Sequence, residues 1–233
     1  ELTLATGLFL LAASFFAGFV DSIAGGGGLI QLPALLIGLP NSGTAEVLGT
    51  NKLSAVFGTT TAAALYRKQI KPDPKVLFGM GVPAFLGSAG GAVLASKIPT
   101  SSMRPMVLVL LVIVAIYTWF QPDLGKFENL RHLPKRRIQI AALAGALIGF
   151  YDGIFGPGTG SFLMLILVAS LGYAFITASA IAKVVNVATN VGAIMVFGIH
   201  GAVIWQLGII MGVANITGAV IGSRLAIKGG ARW

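Results

Sequence analysis

Two stretches of this chain repeat one another at a fixed distance. GFVDSIAGGGG at residues 18–28 returns as GFYDGIFGPGTG at 149–160, so Asp21 and Asp152 lie 152 − 21 = 131 positions apart. The same offset carries Lys52 onto Lys183, Val56 onto Val187, Ala62 onto Ala193 and Met80 onto Met211. It continues through Gly81 and Gly212, Gly87 and Gly218, and Gly91 and Gly222, to Lys97 and Lys228. Laid on itself at that offset without gaps, the chain pairs 102 positions, of which 21 are identical. A composition this rich in Gly, Ala and Leu gives roughly a tenth by accident. The chain is therefore a duplicated unit, and each copy carries one acidic, glycine-broken loop and one lysine inside an apolar segment.

The solvent of such a unit follows from its charge. Of 233 residues only 10% are charged and 56% are hydrophobic, with a mean hydropathy of +0.90. A water-facing surface needs about 25% charged residues, so the expected fold class is all-α: a polytopic membrane protein whose main solvent is the bilayer. The net charge of +9 sits in a few connections between apolar runs, as membrane topology requires. No basic stripe with interleaved aromatics points to nucleic acid. Cysteine is absent and there are only two histidines, His132 and His200, so no thiolate or histidine metal cluster and no cofactor is expected. No nucleophile–base constellation suggests an enzyme. The first apolar segment belongs to the repeat, so a cleaved signal peptide is not expected.

Residues 2–20 are long enough to cross most of a bilayer, and the glycine run 25–28 breaks the helix, each glycine costing about 1 kcal/mol relative to alanine. The apolar piece 29–39 that follows reaches only about 16 Å, half a membrane. The Asp21–Gly28 loop is therefore expected at depth, where irregular backbone survives only against protein or a wet cavity. Further spans are expected at 44–66, 76–96 and 103–120. The second half repeats the plan with 138–152, 161–171, 175–197 and 202–227. The domains are thus 1–120, a repeat with one extra span; 121–137, a basic linker; and 138–233, the second repeat. Short basic loops stay cytoplasmic. Placing 67–75, 121–137 and the end carrying Arg224, Lys228 and Arg232 inside leaves the N-terminus outside and inverts the second repeat relative to the first. Lys97 and Arg104 are the outside exceptions. Trp119, Trp205 and Tyr117 near segment ends suit an interfacial belt, and His200 falls in an outside turn.

Inverted repeats with broken helices mark many secondary transporters, whose substrate sits at the midplane between the repeats. Here the N–H groups that open the short helices, at Gly26, Gly27 and Gly28 in the first copy, suit an anion; the other account is close helix packing. Lys52 and Lys183 each lie about 4.5 Å from the middle of their span, a depth at which a lysine faces a cavity or a partner. They form either a shared cationic site or structural ion pairs with Asp21 and Asp152. Asn51 and Gln31 in the first copy, and Asn186 and Asn190 in the second, would line the site; Thr50, Ser54, Thr59 and Thr189 share the lysine helices. Lys183, Asn186 and Asn190 follow one helical face. The amides would hold anion oxygens or bond helix to helix. Asp21 and Asp152 either relay protons or hold the loops through backbone N–H groups. Phe162 stands where the first copy has Gln31, so the cavity is not symmetric.

The segments GFVDSIAGGGGLIQLPALL and GTNKLSAVFGTTTAA, with GFYDGIFGPGTGSFL and AKVVNVATNVGA in the second half, resemble the TauE/SafE sulfite exporter family over essentially the whole chain. The resemblance implies an inner-membrane permease that moves sulfite or an organosulfonate such as sulfoacetate, mostly outward, with Asn51, Lys52 and Lys183 in signature segments. The second copy departs from it, with Ala182 in the place of Asn51 and Asn186 in the place of Ala55. The expected partners are a small anionic substrate and the lipid bilayer. A coupling proton or cation, a homo-oligomer and an anion channel without alternating access stay open.

Overall fold

The computed structural model describes residues 3–119 and 128–229, without the side chains of 117–119. The Lys126 and Arg232 charges and the Tyr117 and Trp119 rings lie outside the described residues. Nine helices follow in order among the described residues: α1 (Leu4–Ala24), α2 (Gly28–Gly38), α3 (Thr44–Gln69), α4 (Pro74–Lys97), α5 (Thr100–Trp119), α6 (Pro134–Ile154), α7 (Thr159–Leu165), α8 (Phe175–Ile199) and α9 (Trp205–Gly229). A π-helical turn, Ile166–Ser170, extends α7. No strand occurs among the described residues. Five helices, α1, α4, α6, α8 and α9, are long and apolar enough to cross a membrane. The chain is an all-α polytopic membrane protein. Its polarity is arranged accordingly: Leu8, Phe78, Leu86, Leu143, Leu147 and Ile209 face outward, while Lys52, Asp152, Lys183, Asn190 and Asn215 are buried.

The most extensive packings join the two halves of the sequence. α4 lies along α6, and α1 along α9; the offset of 131 maps the second of these contacts onto the first. Small residues make the approach close. A Cβ on Gly153 of α6 would run into the Ser88 carbonyl of α4, and one on Gly149 would lie 2.8 Å from the Ala84 Cα. Lipid offers no hydrophobic drive between helices, so backbone proximity and interhelical hydrogen bonds hold them together. Ser88, for example, donates to the Thr189 carbonyl of α8 at 2.7 Å.

α1 and α2 form an antiparallel hairpin, with Leu10 near the top of α1 packed on Gly38 at the end of α2. α6 and α7 form a second one. Its open end is tied to the segment before α6, where Asn129 N–H donates to the Gly172 carbonyl at 2.8 Å and Arg131 N–H to the Leu171 carbonyl at 3.0 Å. The first hairpin opens at the other end of the bundle. There Thr44 N–H donates to the Thr100 hydroxyl at 3.3 Å, at the start of α5. Arg104 is explained by this end, since it donates to the Leu36 and Pro40 carbonyls at 2.6 and 2.7 Å. It satisfies the carbonyls that α2 leaves free. Arg131 does the same for the second hairpin by donating to the Ala169 carbonyl.

The returning helices are short, about 16 Å for α2, so the hairpin tips stop inside the bundle and meet. Ser161 Oγ donates to the Gly25 carbonyl at 2.6 Å. Gly25, at φ 71°, has no room for a side chain, because a Cβ there would lie 2.6 Å from the Ser161 nitrogen. One expectation needs correcting. Asp21 and Asp152 are not loop residues; they sit in the last turns of α1 and α6, and the breaks are 25–27 and 155–158. Each carboxylate is thereby fixed by its helix at the edge of a break. The short helices also begin slightly earlier than expected, at Gly28 and Thr159.

Candidate functional site

Where the tips meet, the two buried lysines reach across the halves. Lys52 on α3 pairs with Asp152 on α6 at 2.5 Å, and Lys183 on α8 pairs with Asp21 on α1 at 3.0 Å. Adding 131 to Lys52 gives Lys183 and subtracting it from Asp152 gives Asp21, so the two pairs correspond. Each lysine bonds the aspartate of the other half. The cations are therefore paired, and the four side chains sum to zero charge. At such depth an unpaired ammonium is costly, which is why α3 and α8 present their lysines to the carboxylates at the breaks.

The second break makes room for this contact. A Cβ on Gly156 would lie 2.9 Å from Lys52 Nζ, and the residue sits at φ 94°. Asp152 Oδ1 also accepts from the Thr159 hydroxyl at 2.5 Å, whereas Asp152 Oδ2 is buried without a partner among the described residues. Asp21 is bound differently. Its Oδ1 accepts from Gly26 N–H at 3.2 Å and Gly27 N–H at 3.4 Å, and Lys183 also donates to its backbone carbonyl. Two of the three amides expected to be free for an anion, those of Gly26 and Gly27, are thus engaged by the protein's own carboxylate. At Gly27 the packing account also holds, since a Cβ would lie 2.8 Å from that of Asp21.

Between the tips lies a cavity of about 30 Å³, room for roughly two waters. Asp21, Gly26, Gly27, Gly28, Gln31, Asn51, Lys52, Asp152, Asn186 and Asn190 all line it, with Thr59, Thr159 and Asn215. Lys183 is not among the lining residues, although its partner Asp21 is. Asn51 Oδ1 and Asn190 Nδ2 are buried without hydrogen-bond partners among the described residues. Asn186 Oδ1 accepts from the Thr189 hydroxyl at 3.2 Å on its own helix. Thr50 serves elsewhere, accepting from Ile204 N–H at 2.9 Å.

Asn215 on α9 escaped the sequence reading. Its Nδ2 donates to Gln31 Oε1 at 3.2 Å and to Ser14 Oγ at 3.4 Å, and Gln31 Nε2 donates to Ser54 Oγ at 2.5 Å. This buried network joins α1, α2, α3 and α9. At the offset positions stand Gly145, Phe162, Val185 and Ala84, none of which can form it. The signal was an amide inside an apolar span, hidden because its counterpart is alanine. His200, as expected, is exposed, and so is Trp205 at the start of α9.

Broken hairpins that enclose a small, polar, charge-balanced cavity inside an apolar bundle define a class: polytopic helical membrane proteins with a buried polar centre. Residues 10–233 match the family described as sulfite exporter TauE/SafE. Relatives include the probable membrane transporter protein ORF9 of Sinorhizobium sp, 40% identical over 96% of this chain and 84% of its own length. The probable membrane transporter protein YfcA of Escherichia coli K12 is 37% identical over 95% of this chain and 82% of its own. A probable membrane transporter protein of Haemophilus influenzae is 36% identical over 95% and 85%. No solved structure matches. The chain belongs to the sulfite exporter TauE/SafE family of membrane transporters.

Proposed function

We propose that this protein is a secondary transporter of the inner membrane that exports a small sulfur-containing anion, sulfite or an organosulfonate such as sulfoacetate. Two inverted repeats, within 1–120 and 138–233 and joined by the linker 121–137, rock about the meeting point of the hairpin tips and expose the cavity alternately. The observation that carries this is the set of unsatisfied groups around the Lys52–Asp152 pair: the Asn190 amide donor and the acceptors Asn51 Oδ1 and Asp152 Oδ2. Unpaired buried polar groups are expensive, and a ligand with both oxygens and a proton satisfies them together. An oxyanion arriving with a coupling proton is such a ligand: its oxygens take the ammonium and the amide, while the proton serves an acceptor. A cavity of about 30 Å³ holds at most a small anion stripped of water.

The threading with the N-terminus outside and the C-terminus cytoplasmic is supported by how the connections gather. Pro40 and Thr44 contact the start of α5, and Thr50 contacts the α8–α9 turn. At the opposite end, residues 128–131 contact 169–172. This grouping is what that threading requires, with the basic stretches 67–75 and 121–137 on the cytoplasmic side.

The test is sulfite efflux from proteoliposomes with the wild type, Lys52→Ala and Lys183→Ala. Both substitutions should lower efflux at least tenfold, and external sulfite should accelerate efflux by exchange. Unchanged efflux in both variants removes the lysines from the site. Efflux without exchange, at rates beyond a carrier's, replaces the transporter with a channel.

A further inference from the structure

A second concavity lies on the outside of the bundle between α3, α4 and α8, on another face of α8 from the residues that meet the hairpin tips. It has a volume of about 1110 Å³, just above the usual range for small-molecule sites. Its wall is apolar, with Leu77, Phe78, Val82 and Phe85 of α4 facing Val184 and Ala188 of α8. Its mouth is charged: Arg67, Lys68 and Lys71, all exposed, stand at the end of α3 and the turn after it. One carboxylate is nearby, that of Asp73, and it accepts from the Lys75 N–H at 2.9 Å as the cap of α4.

The duplication supplies a control for this groove. Beside α9, the counterpart of α4, the space is filled from α3. A Cβ on Gly212 would lie 2.5 Å from the Phe57 ring, and one on Gly208 would lie 2.7 Å from Leu53. Beside α4, Phe57 is matched by Ala188 of α8 and Leu53 by Val184, and around Gly81, the counterpart of Gly212, nothing lies within 4 Å of such a Cβ. The three cations are matched by Gly198, Ile199 and Ala202. The groove beside α4 lacks the plug and has the charge; the matching groove beside α9 has the plug and lacks the charge. An apolar trough with three cations at its mouth fits a ligand with an acyl chain and an anionic head.

We propose that this groove binds one anionic phospholipid, its acyl chain along Phe78, Val82 and Phe85 over Gly81 and its phosphate at Arg67, Lys68 and Lys71. Basic pockets between helices hold such headgroups, each Lys or Arg contributing about fivefold in affinity. The apolar stems of the three side chains lie over the chain while their heads reach the phosphate. The occupant is independent of the transported anion.

The purified full-length protein in detergent tests this by lipid titration, read as retained lipid in native mass spectrometry and as thermal shift. The probes are phosphatidylglycerol, phosphatidylcholine with the same chains, and inorganic phosphate. Phosphatidylglycerol should bind at least about tenfold tighter than phosphatidylcholine, out of the roughly hundredfold that three such cations allow. The variant R67Q/K68Q/K71Q, which alters only exposed side chains, should bring the two within about twofold. Ala188→Phe, which copies the Phe57 plug beside α9, should abolish retention of both lipids; Gly81→Leu replaces it if that variant does not fold. Equal binding of the two lipids by the wild type overturns the proposal, as does an unchanged preference in the triple variant. So does stabilisation by inorganic phosphate that matches the lipid and survives Ala188→Phe, which would make the ligand a free anion.

Discussion

Asp21 and Asp152 occupy corresponding positions and hold corresponding lysines, yet their surroundings differ. The Asp152 side chain is 2% exposed and puts both of its contacts on one oxygen, from Lys52 at 2.5 Å and Thr159 at 2.5 Å. The Asp21 side chain is 16% exposed and divides itself between Lys183 and the amides of Gly26 and Gly27. The loops follow suit. Tyr151 ties the second break by donating to the Pro157 carbonyl at 2.6 Å, and the first copy has Val20 at that position. One break is thus pinned by side chains around a fully buried ion pair, and the other by a partly exposed carboxylate bonded to backbone amides. If the halves rock, the first tip is the one free to give, because Val20 gives its loop no tie like that of Tyr151 and its carboxylate is already partly exposed.

The largest expected effect breaks this contrast directly. Asp152→Asn leaves Lys52 buried without a counter-charge, which costs about 3–5 kcal/mol. Asp21→Asn should cost clearly less, since Lys183 keeps its bond to the backbone carbonyl of residue 21. Thermal unfolding in detergent measures both. A double variant, Lys52→Met with Asp152→Asn, should recover most of the loss, because a buried ion pair replaced by apolar groups is often neutral. Equal losses for the two single variants would remove the distinction between the breaks.

The next effect concerns the network that only one half possesses. Asn215→Ala strands Gln31 Oε1 in the bundle and should cost about 1–3 kcal/mol. The matching change in the other half is already native, as Ala84. Introducing Asn at position 84 should not be stabilising, since Phe162 and Val185 offer it no partner. Unfolding of the two variants in the same detergent checks the pair. A loss for Asn215→Ala below about 0.5 kcal/mol would show that the asymmetry is not energetic.

Much of this was legible in the chain. The offset, the glycine breaks, the half-length segments and the depth of Lys52 and Lys183 all follow from periodicity and spacing, because a bilayer imposes length and polarity on each element. The crossing of the pairs was not legible. Sequence left the lysines as either a shared cationic site or ion pairs with the aspartates, and nothing local to α3 says that Lys52 reaches Asp152 instead of Asp21. That choice belongs to tertiary packing, to α4 lying on α6 and α1 on α9. Arg104 read as a topological exception because its partners, the carbonyls of Leu36 and Pro40, are backbone atoms with no sequence signature. Asn215 was hidden for the opposite reason: a reading built on matched positions discounts the residue whose match is alanine.

The smallest effect on stability should have the opposite sign. Asn190 Nδ2 and Asn51 Oδ1 are buried at the cavity without partners among the described residues, so the folded state carries their desolvation uncompensated. Asn190→Leu removes one such group and adds apolar volume beside a cavity of about 30 Å³. The protein should unfold at the same temperature or a few degrees higher, a gain on the order of 0.5–1 kcal/mol. Sulfite efflux should fall at least tenfold. Asn215 gives the contrast: its Nδ2 donates twice within the protein, so its loss should lower stability first. A polar group kept at the cavity against the interest of stability is retained for a ligand. If Asn190→Leu instead destabilises the fold and leaves efflux intact, the amide serves the bundle, and the cavity loses a buried, unpartnered donor.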